Sequence, residues 1–117
     1  MTAIAHSDDG AALVIDVIDE PDCTRIAVRG ELDLESPDIF DPVVQDCIRR
    51  RQPLVVDLRE TTFIGSQGVA AILRARRQLG DELGPITVCI GRDIQRRLFE
   101  TTGVDTILNV VDHLDGS

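Results

Sequence analysis

The segment from Leu54 to Leu73 constrains the fold more than any other part of this chain of 117 residues. It begins with the almost continuous apolar run 54–58, which is typical of a strand covered on both faces. A short polar interruption follows, after which the pair Phe63-Ile64 is expected to return to the core. The next apolar residues follow helical spacing. The segment therefore predicts a buried strand, a loop and a helix over residues 67–79.

Ser66 stands where this loop meets the helix. A serine at a helix N-terminus can accept hydrogen bonds from free backbone N–H groups and so cap the helix. The same position would tolerate an attached phosphate, because those N–H groups and the helix dipole favour negative charge. The residues alone leave both interpretations open, a cap and a site of modification.

The rest of the chain continues the alternation of strands and helices. Two alternating segments around 13–17 and 25–29, joined by a short turn, predict an antiparallel hairpin. The later elements are expected as a helix from Pro37, kinked at Pro42 or beginning there, a strand over 86–90, a helix from Asp93 and a strand over 107–111. This order predicts an α/β fold with a mostly parallel sheet of four to five strands, an initial antiparallel hairpin and helices packed on it.

The length predicts one domain. We assign residues 1–10 to a flexible N-terminus, residues 11–112 to the domain and residues 113–117 to a C-terminal tail. The apolar N-terminal stretch of a signal peptide is not found, and neither is a run long enough to cross a bilayer. We therefore expect no membrane span and a cytoplasmic location.

The charge of the chain limits its partners. The formal net charge is −9, and aromatic residues make up 3% of the sequence. Binding to a phosphate backbone needs positive charge, and binding to single-stranded nucleic acid uses aromatic stacking, so nucleic acid is not an expected ligand. An acidic chain is better suited to a basic surface on a protein partner.

The three cysteines, Cys23, Cys47 and Cys89, are far apart in the sequence. An odd number without a Cys-x-x-Cys pair indicates free thiols in a reducing compartment. Cys47 lies on the apolar face of a predicted helix, and Cys89 lies inside a predicted strand. Both are expected to be small buried hydrophobic residues.

No arrangement of residues typical of an enzyme is found. A serine nucleophile needs a neighbouring base, but His6 and His113 lie near the two ends of the chain, and Ile64 replaces the glycine of a nucleophile elbow. A phosphate-binding loop needs a lysine, which the chain lacks. The histidines and cysteines do not have metal-ligand spacing. We expect no catalytic residue, no metal and no cofactor; the acid pair Glu31 and Asp33 is better explained as a solvated turn.

Two motifs give the chain a family resemblance over residues 11–112. Asp57-Leu58, Phe63-Ile64, Ser66, Gly68 and Val69 follow the order and spacing of a motif in STAS domains of the anti-sigma factor antagonist type. The run 29–33, Arg-Gly-Glu-Leu-Asp, is similar to the Gly-Glu-Leu-Asp motif of the same family. The resemblance implies the STAS fold and the order of its strands.

The resemblance also implies a function. In the family, a serine at the position of Ser66 is phosphorylated by the partner, an anti-sigma factor that is also a serine kinase of the ATPase type, and transcription is regulated by partner switching. A phosphatase is a further implied partner. The acid at the position of Asp33 lies near that serine and contributes to contact with the partner or a nucleotide, although a plain loop acid is an equal alternative. The implied partner-binding residues are Asp33, Gly65, Ser66, Gln67, Gly68 and Val69.

The chain departs from the family motif on both sides of Ser66. Gly65 replaces an aspartate, and Gln67 replaces a second serine. The glycine is expected to allow a positive φ angle. These departures leave two alternatives open, a STAS scaffold that acts without phosphorylation and a sensor of a small ligand such as a nucleotide or lipid. Thr61 and Thr62 could be accessory phosphorylation sites, but ordinary loop polarity is the favoured explanation.

Overall fold

The computed structural model describes residues 2–6, 13–32, 37–80 and 85–114. These ranges contain six strands and three α-helices, with a short 3₁₀-helix near the end; three strands come first, and helices and strands then alternate. The elements are β1 (Thr2–His6), β2 (Leu13–Asp19), β3 (Thr24–Leu32), α1 (Pro37–Ile48), β4 (Leu54–Ile64), α2 (Ser66–Leu79), β5 (Thr87–Cys89), α3 (Asp93–Thr102), the 3₁₀-helix Val104–Thr106 and β6 (Asn109–Val111).

The strands form one mixed sheet in the order β1-β2-β3-β4-β5-β6. The pairs β1-β2 and β2-β3 are antiparallel, and the three later pairs are parallel. The predicted α/β fold, its antiparallel hairpin and its parallel part are confirmed.

Strand β1 is the element that the sequence pattern misses, because residues 1–10 are expected to be flexible. Thr2 pairs with Ile18 and His6 pairs with Val14, so the strand extends the sheet at the free edge of β2. Its sequence, Thr-Ala-Ile-Ala-His, has a single large apolar residue and so lacks a clear pattern of alternation, and the pairing depends on an edge that exists only in the folded chain. The sheet therefore has one strand more than expected.

One face of the sheet and the helices enclose the core. Along β2 the residues alternate between buried and half-buried, with Leu13, Ile15 and Val17 directed into the core. Phe40 of α1, Ile72 of α2 and Phe99 of α3 belong to the same cluster of buried side chains. The opposite face of the sheet carries half-buried residues, and it holds charged side chains that are described below.

Strand β4 has 11 residues and is longer than predicted. Its pairing with β3 is irregular at two points, where β4 has one residue more than β3. The polar residues 59–62, expected as a loop, therefore lie within a bulged strand. The expectation that Phe63 returns to the core is wrong, since its side chain is 48% exposed. Only Ile64 of this pair is buried.

Other local predictions can also be compared with the structure. Helix α1 runs through Pro42 from its start at Pro37. All three cysteines are free, and Cys47 and Cys89 are buried as expected. None of the helices in the described ranges is long and apolar enough to cross a membrane.

Candidate functional site

Ser66 is the first residue of α2, and its side chain is exposed. The N-cap position belongs to Gly65, whose backbone is extended, with φ −99° and ψ −178°. Two expectations are therefore wrong: Ser66 is not the N-cap residue, and Gly65 does not adopt a positive φ. The hydroxyl of Ser66 is accessible to a modifying enzyme.

Backbone hydrogen bonds fix the start of α2 against the end of β3. The N–H of Gly65 donates to the carbonyl oxygen of Leu32 at 3.1 Å. The carbonyl oxygen of Gly65 accepts from the N–H groups of Gly68 at 3.0 Å and Val69 at 3.1 Å. Leu32 is the last residue of β3. The loop that presents Ser66 is thus anchored to the strand that carries the second family motif.

Gly68 allows this close packing. A Cβ atom at this position would lie 2.5 Å from the carbonyl oxygen of Leu32 and 2.9 Å from Cγ1 of Ile64. No larger residue fits without movement of the backbone. Packing within the chain therefore explains why the motif has a glycine at this position, without reference to a partner.

The implied partner-binding residues differ in their exposure to solvent. Ser66 and Gln67 are exposed, and Gly65 is half-buried. Gly68 and Val69 are buried, so these two residues support the surface from below. Asp33 lies outside the described residues.

The start of α2 favours an added negative charge. Its first turn contains no acidic residue, and Arg76 and Arg77 lie in its last turn. Within the described residues, the backbone N–H groups of Ser66 and Gln67 have no hydrogen-bond acceptor. Free N–H groups and the positive end of the helix dipole stabilise phosphate at such a position.

A small apolar groove lies beside this end of β4. It has a volume of about 230 Å³ and is lined by Phe63, Ile94 and Leu98, among others. Ile94, on the first turn of α3, is 73% exposed. Exposed apolar side chains next to one another are typical of surfaces that contact other proteins. Ile64, two residues before Ser66, also lines the groove.

Gln95 connects α3 to the bulged part of β4. Its side chain is 3% exposed. Its Nε2 donates to the carbonyl oxygens of Leu58 at 3.3 Å and Thr61 at 3.2 Å, and its Oε1 accepts from the N–H of Gly91 at 2.9 Å. Because β5 pairs only with residues 55–57 of β4, this side chain takes the place of a neighbouring strand farther along. No sequence signal marks it, since a glutamine on an amphipathic helix is usually exposed.

Thr61 has a structural role in the same segment. Its side chain is completely buried, and its Oγ1 donates to the carbonyl oxygen of Val28 at 3.1 Å. It is therefore neither an accessible phosphorylation site nor an ordinary polar loop residue. Thr62 is exposed.

A cluster of charges lies on the open face of the sheet. The Asp57 carboxylate accepts from the backbone N–H and Nε of Arg59 at 3.1 and 2.9 Å, and from Nη2 of Arg59 at 2.8 Å. Nη1 of Arg25 donates to it at 3.1 Å. Burial raises the pKa of Asp57, but the hydrogen bonds from Arg59 and the charges of both arginines outweigh burial and lower it. The cluster is a satisfied ion-pair network, and it organises this face of the sheet.

The two histidines lie near opposite edges of the sheet. The Nδ1 atom of His113 lies 2.9 Å from a carboxylate oxygen of Asp112, and both side chains are exposed. His6 lies in β1, at the other edge of the sheet. Among the described residues, no three side chains of the metal-binding types come together.

Comparison with known proteins gives the same fold and a family. The family model described as "Mlab, STAS domain" matches residues 8–111. An anti-sigma F factor antagonist from Paenibacillus polymyxa is 27% identical over 90 residues, which are 75% of this chain and 77% of that protein.

Solved structures are similar as well. An anti-sigma factor antagonist from Mycobacterium paratuberculosis superposes with a TM-score of 0.80 at 26% identity, covering 93% of this chain and 92% of that one. The phosphorylated form of the Bacillus cell fate determinant SpoIIAA has the same fold, with a TM-score of 0.63 at 17% identity, covering 85% and 92% of the two chains. The resemblance found in the two sequence motifs is confirmed, and the chain belongs to the STAS domain family.

Proposed function

We propose that this protein is an anti-sigma factor antagonist that binds a kinase-type anti-sigma factor and is switched off by phosphorylation of Ser66. The observation that carries the proposal is the exposed hydroxyl of Ser66 at the first position of α2. Relatives that are named anti-sigma factor antagonists support the choice of partner. The role is regulatory. The partner catalyses the phosphorylation, and this chain is its substrate.

The modification is a phosphoryl transfer from ATP held by the partner. Oγ of Ser66 attacks the γ-phosphorus, the new Oγ–P bond forms, and the bond between that phosphorus and the ADP oxygen breaks. The hydroxyl proton passes to a base of the kinase, and ADP leaves. A phosphatase, as a further partner, would restore the hydroxyl by hydrolysis.

The phosphate acts on binding more than on folding. It adds roughly −1.5 to −2 charges at pH 7. At the start of α2 these charges meet free N–H groups, and the first turn of the helix contains no acidic residue, so the fold tolerates them. In a packed interface the same group adds a desolvation cost and repels negative charge. A loss of about 3 kcal/mol weakens binding by roughly 100-fold.

The contact surface extends from Ser66 across the apolar groove. Ser66 and Gln67 supply its polar part, and Phe63 and Ile94 supply exposed apolar area. Large apolar side chains of this kind contribute most of the affinity when a partner buries them. The net charge of −9 favours a partner with a basic surface, since opposite charges speed encounter.

The direct test mixes the chain with a purified kinase-type anti-sigma factor and ATP and maps the phosphate by mass spectrometry. We expect a single phosphate on Ser66 and none on the variant Ser66→Ala. Thr62→Ala is the matched control, because Thr62 is an exposed hydroxyl at the end of β4. Phosphate on other residues in the wild type, or tight binding of Ser66→Asp to the partner, contradicts the proposal.

A scaffold that works without phosphorylation is the second candidate. It is favoured by Gly65 and Gln67, which depart from the antagonist motif, and by a matching family model whose description does not name an antagonist. This function predicts a complex whose size in chromatography is the same for wild type and Ser66→Ala. A wild-type chain that leaves its partner only when ATP is present contradicts it.

A further inference from the structure

A second concave surface lies outside the carboxyl ends of β5 and β6. We name it the arginine groove, and it is formed by Arg59, Arg92, Arg96, Asp93 and Asp112 over the backbone at 90–91. Its volume is about 470 Å³. Ser66 is not among its lining residues. In open α/β sheets, small ligands commonly bind in a crevice at this end of parallel strands.

The arginines of the groove differ in how they are held. Asp57 fixes the guanidinium of Arg59 through two side-chain hydrogen bonds of 2.9 and 2.8 Å. Nη2 of Arg96 lies 3.9 Å from Oδ2 of Asp112, a long distance for an ion pair. Arg92 is exposed and forms no ion pair within the described ranges. One arginine is therefore preorganised, and the other two can turn toward a ligand.

The chemistry of the groove selects an anion. Three arginines and two acidic residues line the groove, and the guanidinium groups of Arg92 and Arg96 can each offer paired N–H donors to phosphate or carboxylate oxygens. Hydrogen bonding to His113 and the charge of Arg96 lower the pKa of Asp112, so this carboxylate is ionised at neutral pH and competes for Arg96. A bound anion must displace it.

The charge of the whole chain limits the size of that anion. At a net charge of −9, an extended polyanion or an anionic membrane would be repelled by most of the surface. The volume of the groove lies within the range of sites for small molecules. We propose that the arginine groove binds a small phosphate monoester, whose dianionic group contacts Arg92 and Arg96 beside the fixed Arg59.

The test uses the full chain labelled with ¹⁵N and titrated with ribose 5-phosphate, with inorganic phosphate as a second probe and chloride at equal ionic strength as the reference. We expect saturable shifts of the backbone N–H signals of Gly91, Arg92 and Asp93. Arg92→Ala and Arg96→Ala should each weaken binding by about tenfold, since a hydrogen bond to a charged group contributes about 1.5–3 kcal/mol. Asp112→Asn should bind more tightly, because it removes the competitor for Arg96.

Arg97→Ala is the matched control, because Arg97 is an exposed arginine on the same helix that does not line the groove. Its binding should equal that of the wild type. Shifts that do not saturate, that equal those with chloride, or that Arg97→Ala reduces as much as Arg92→Ala overturn the proposal. This test does not involve Ser66, so its failure leaves the proposed function unaffected.

Discussion

Gly68 of α2 packs directly against the carbonyl oxygen of Leu32, with no room for a Cβ atom between them. The contact joins the two motifs that identify the family, one at the end of β3 and one at the start of α2. Any change in the position of one motif is therefore passed to the other through the backbone.

Gly68→Ala should destabilise the protein by about 2 kcal/mol, because overpacking forces the backbone to shift. The free energy of unfolding in urea measures this loss. Gln67→Ala, the exposed neighbour, is the control and should change stability by less than about 0.5 kcal/mol. Equal stability of Gly68→Ala and the wild type would show that the backbone at this contact can move without a loss of stability.

Gln95→Leu should destabilise the protein by about 3 kcal/mol, because it leaves two buried carbonyl groups of β4 and the partly buried N–H of Gly91 without their partner. Hydrogen exchange should also become faster in the part of β4 that follows Leu58. Gln78→Leu, at an exposed position of α2, controls for the change of residue type. The role assigned to Gln95 is wrong if both variants have the same stability.

Asp57→Asn should lower stability by about 2 kcal/mol at pH 7, since it removes the charged acceptor that the half-buried Arg25 and Arg59 share. The folded state lowers the pKa of Asp57 below its ordinary value of 3.8, so the carboxylate stabilises the fold above that value. This contribution is lost as the pH falls through the lowered pKa, and the difference between variant and wild type should shrink there.

Urea unfolding between pH 7 and pH 2 measures this dependence. Asp105→Asn is the control, because its side chain is exposed and forms no ion pair among the described residues. A constant difference between Asp57→Asn and the wild type at every pH would contradict the assignment.

Cys47 and Cys89 should resist alkylation in the folded protein. Burial raises the pKa of Cys47 to about 11 and also raises the pKa of Cys89, so little thiolate forms at neutral pH. Cys23 is half-buried and should react first. Mass spectrometry after timed treatment with iodoacetamide gives the order, and unfolding in urea should make the three rates similar.

Ile94→Asp should weaken binding to the anti-sigma factor by tenfold or more while leaving stability unchanged, because its side chain is 73% exposed beside the apolar groove. Ile107→Asp is the matched control, since Ile107 is also exposed but does not line that groove. Titration calorimetry with the partner compares the three proteins. Equal losses for both variants would indicate a general effect of charge.

The parts of the fold that depend on local pattern could be predicted from the sequence. Helix α2 and its C-terminal glycine, Gly80, appear as expected, because apolar spacing and a glycine after the last turn are local signals. The antiparallel pairing of β2 and β3 follows from their short connection. The exposure of Ser66 also agrees with its position between a strand and a helix.

The remaining features depend on contacts between distant residues. The strand Thr2–His6 forms only because β2 offers a free edge, and the bulges of β4 are visible only against β3. Gln95 is buried because the shorter β5 leaves carbonyl groups of β4 unpaired. The family resemblance identified Gly68 as a motif residue, but its packing against Leu32 arises only when β3 and α2 meet in the folded chain.

The two irregular points in the pairing of β4 make the length of this segment a property of the protein in its own right. The buried residues Leu58, Thr61 and Ile64 are three positions apart, because each irregular point places two successive side chains on the outer side. Deletion of Arg59 or Glu60 would therefore remove the first irregular point and leave Thr61 and Ile64 directed inward. Homologous chains can differ by one residue here without turning the strand over, provided that the change falls at one of these two points.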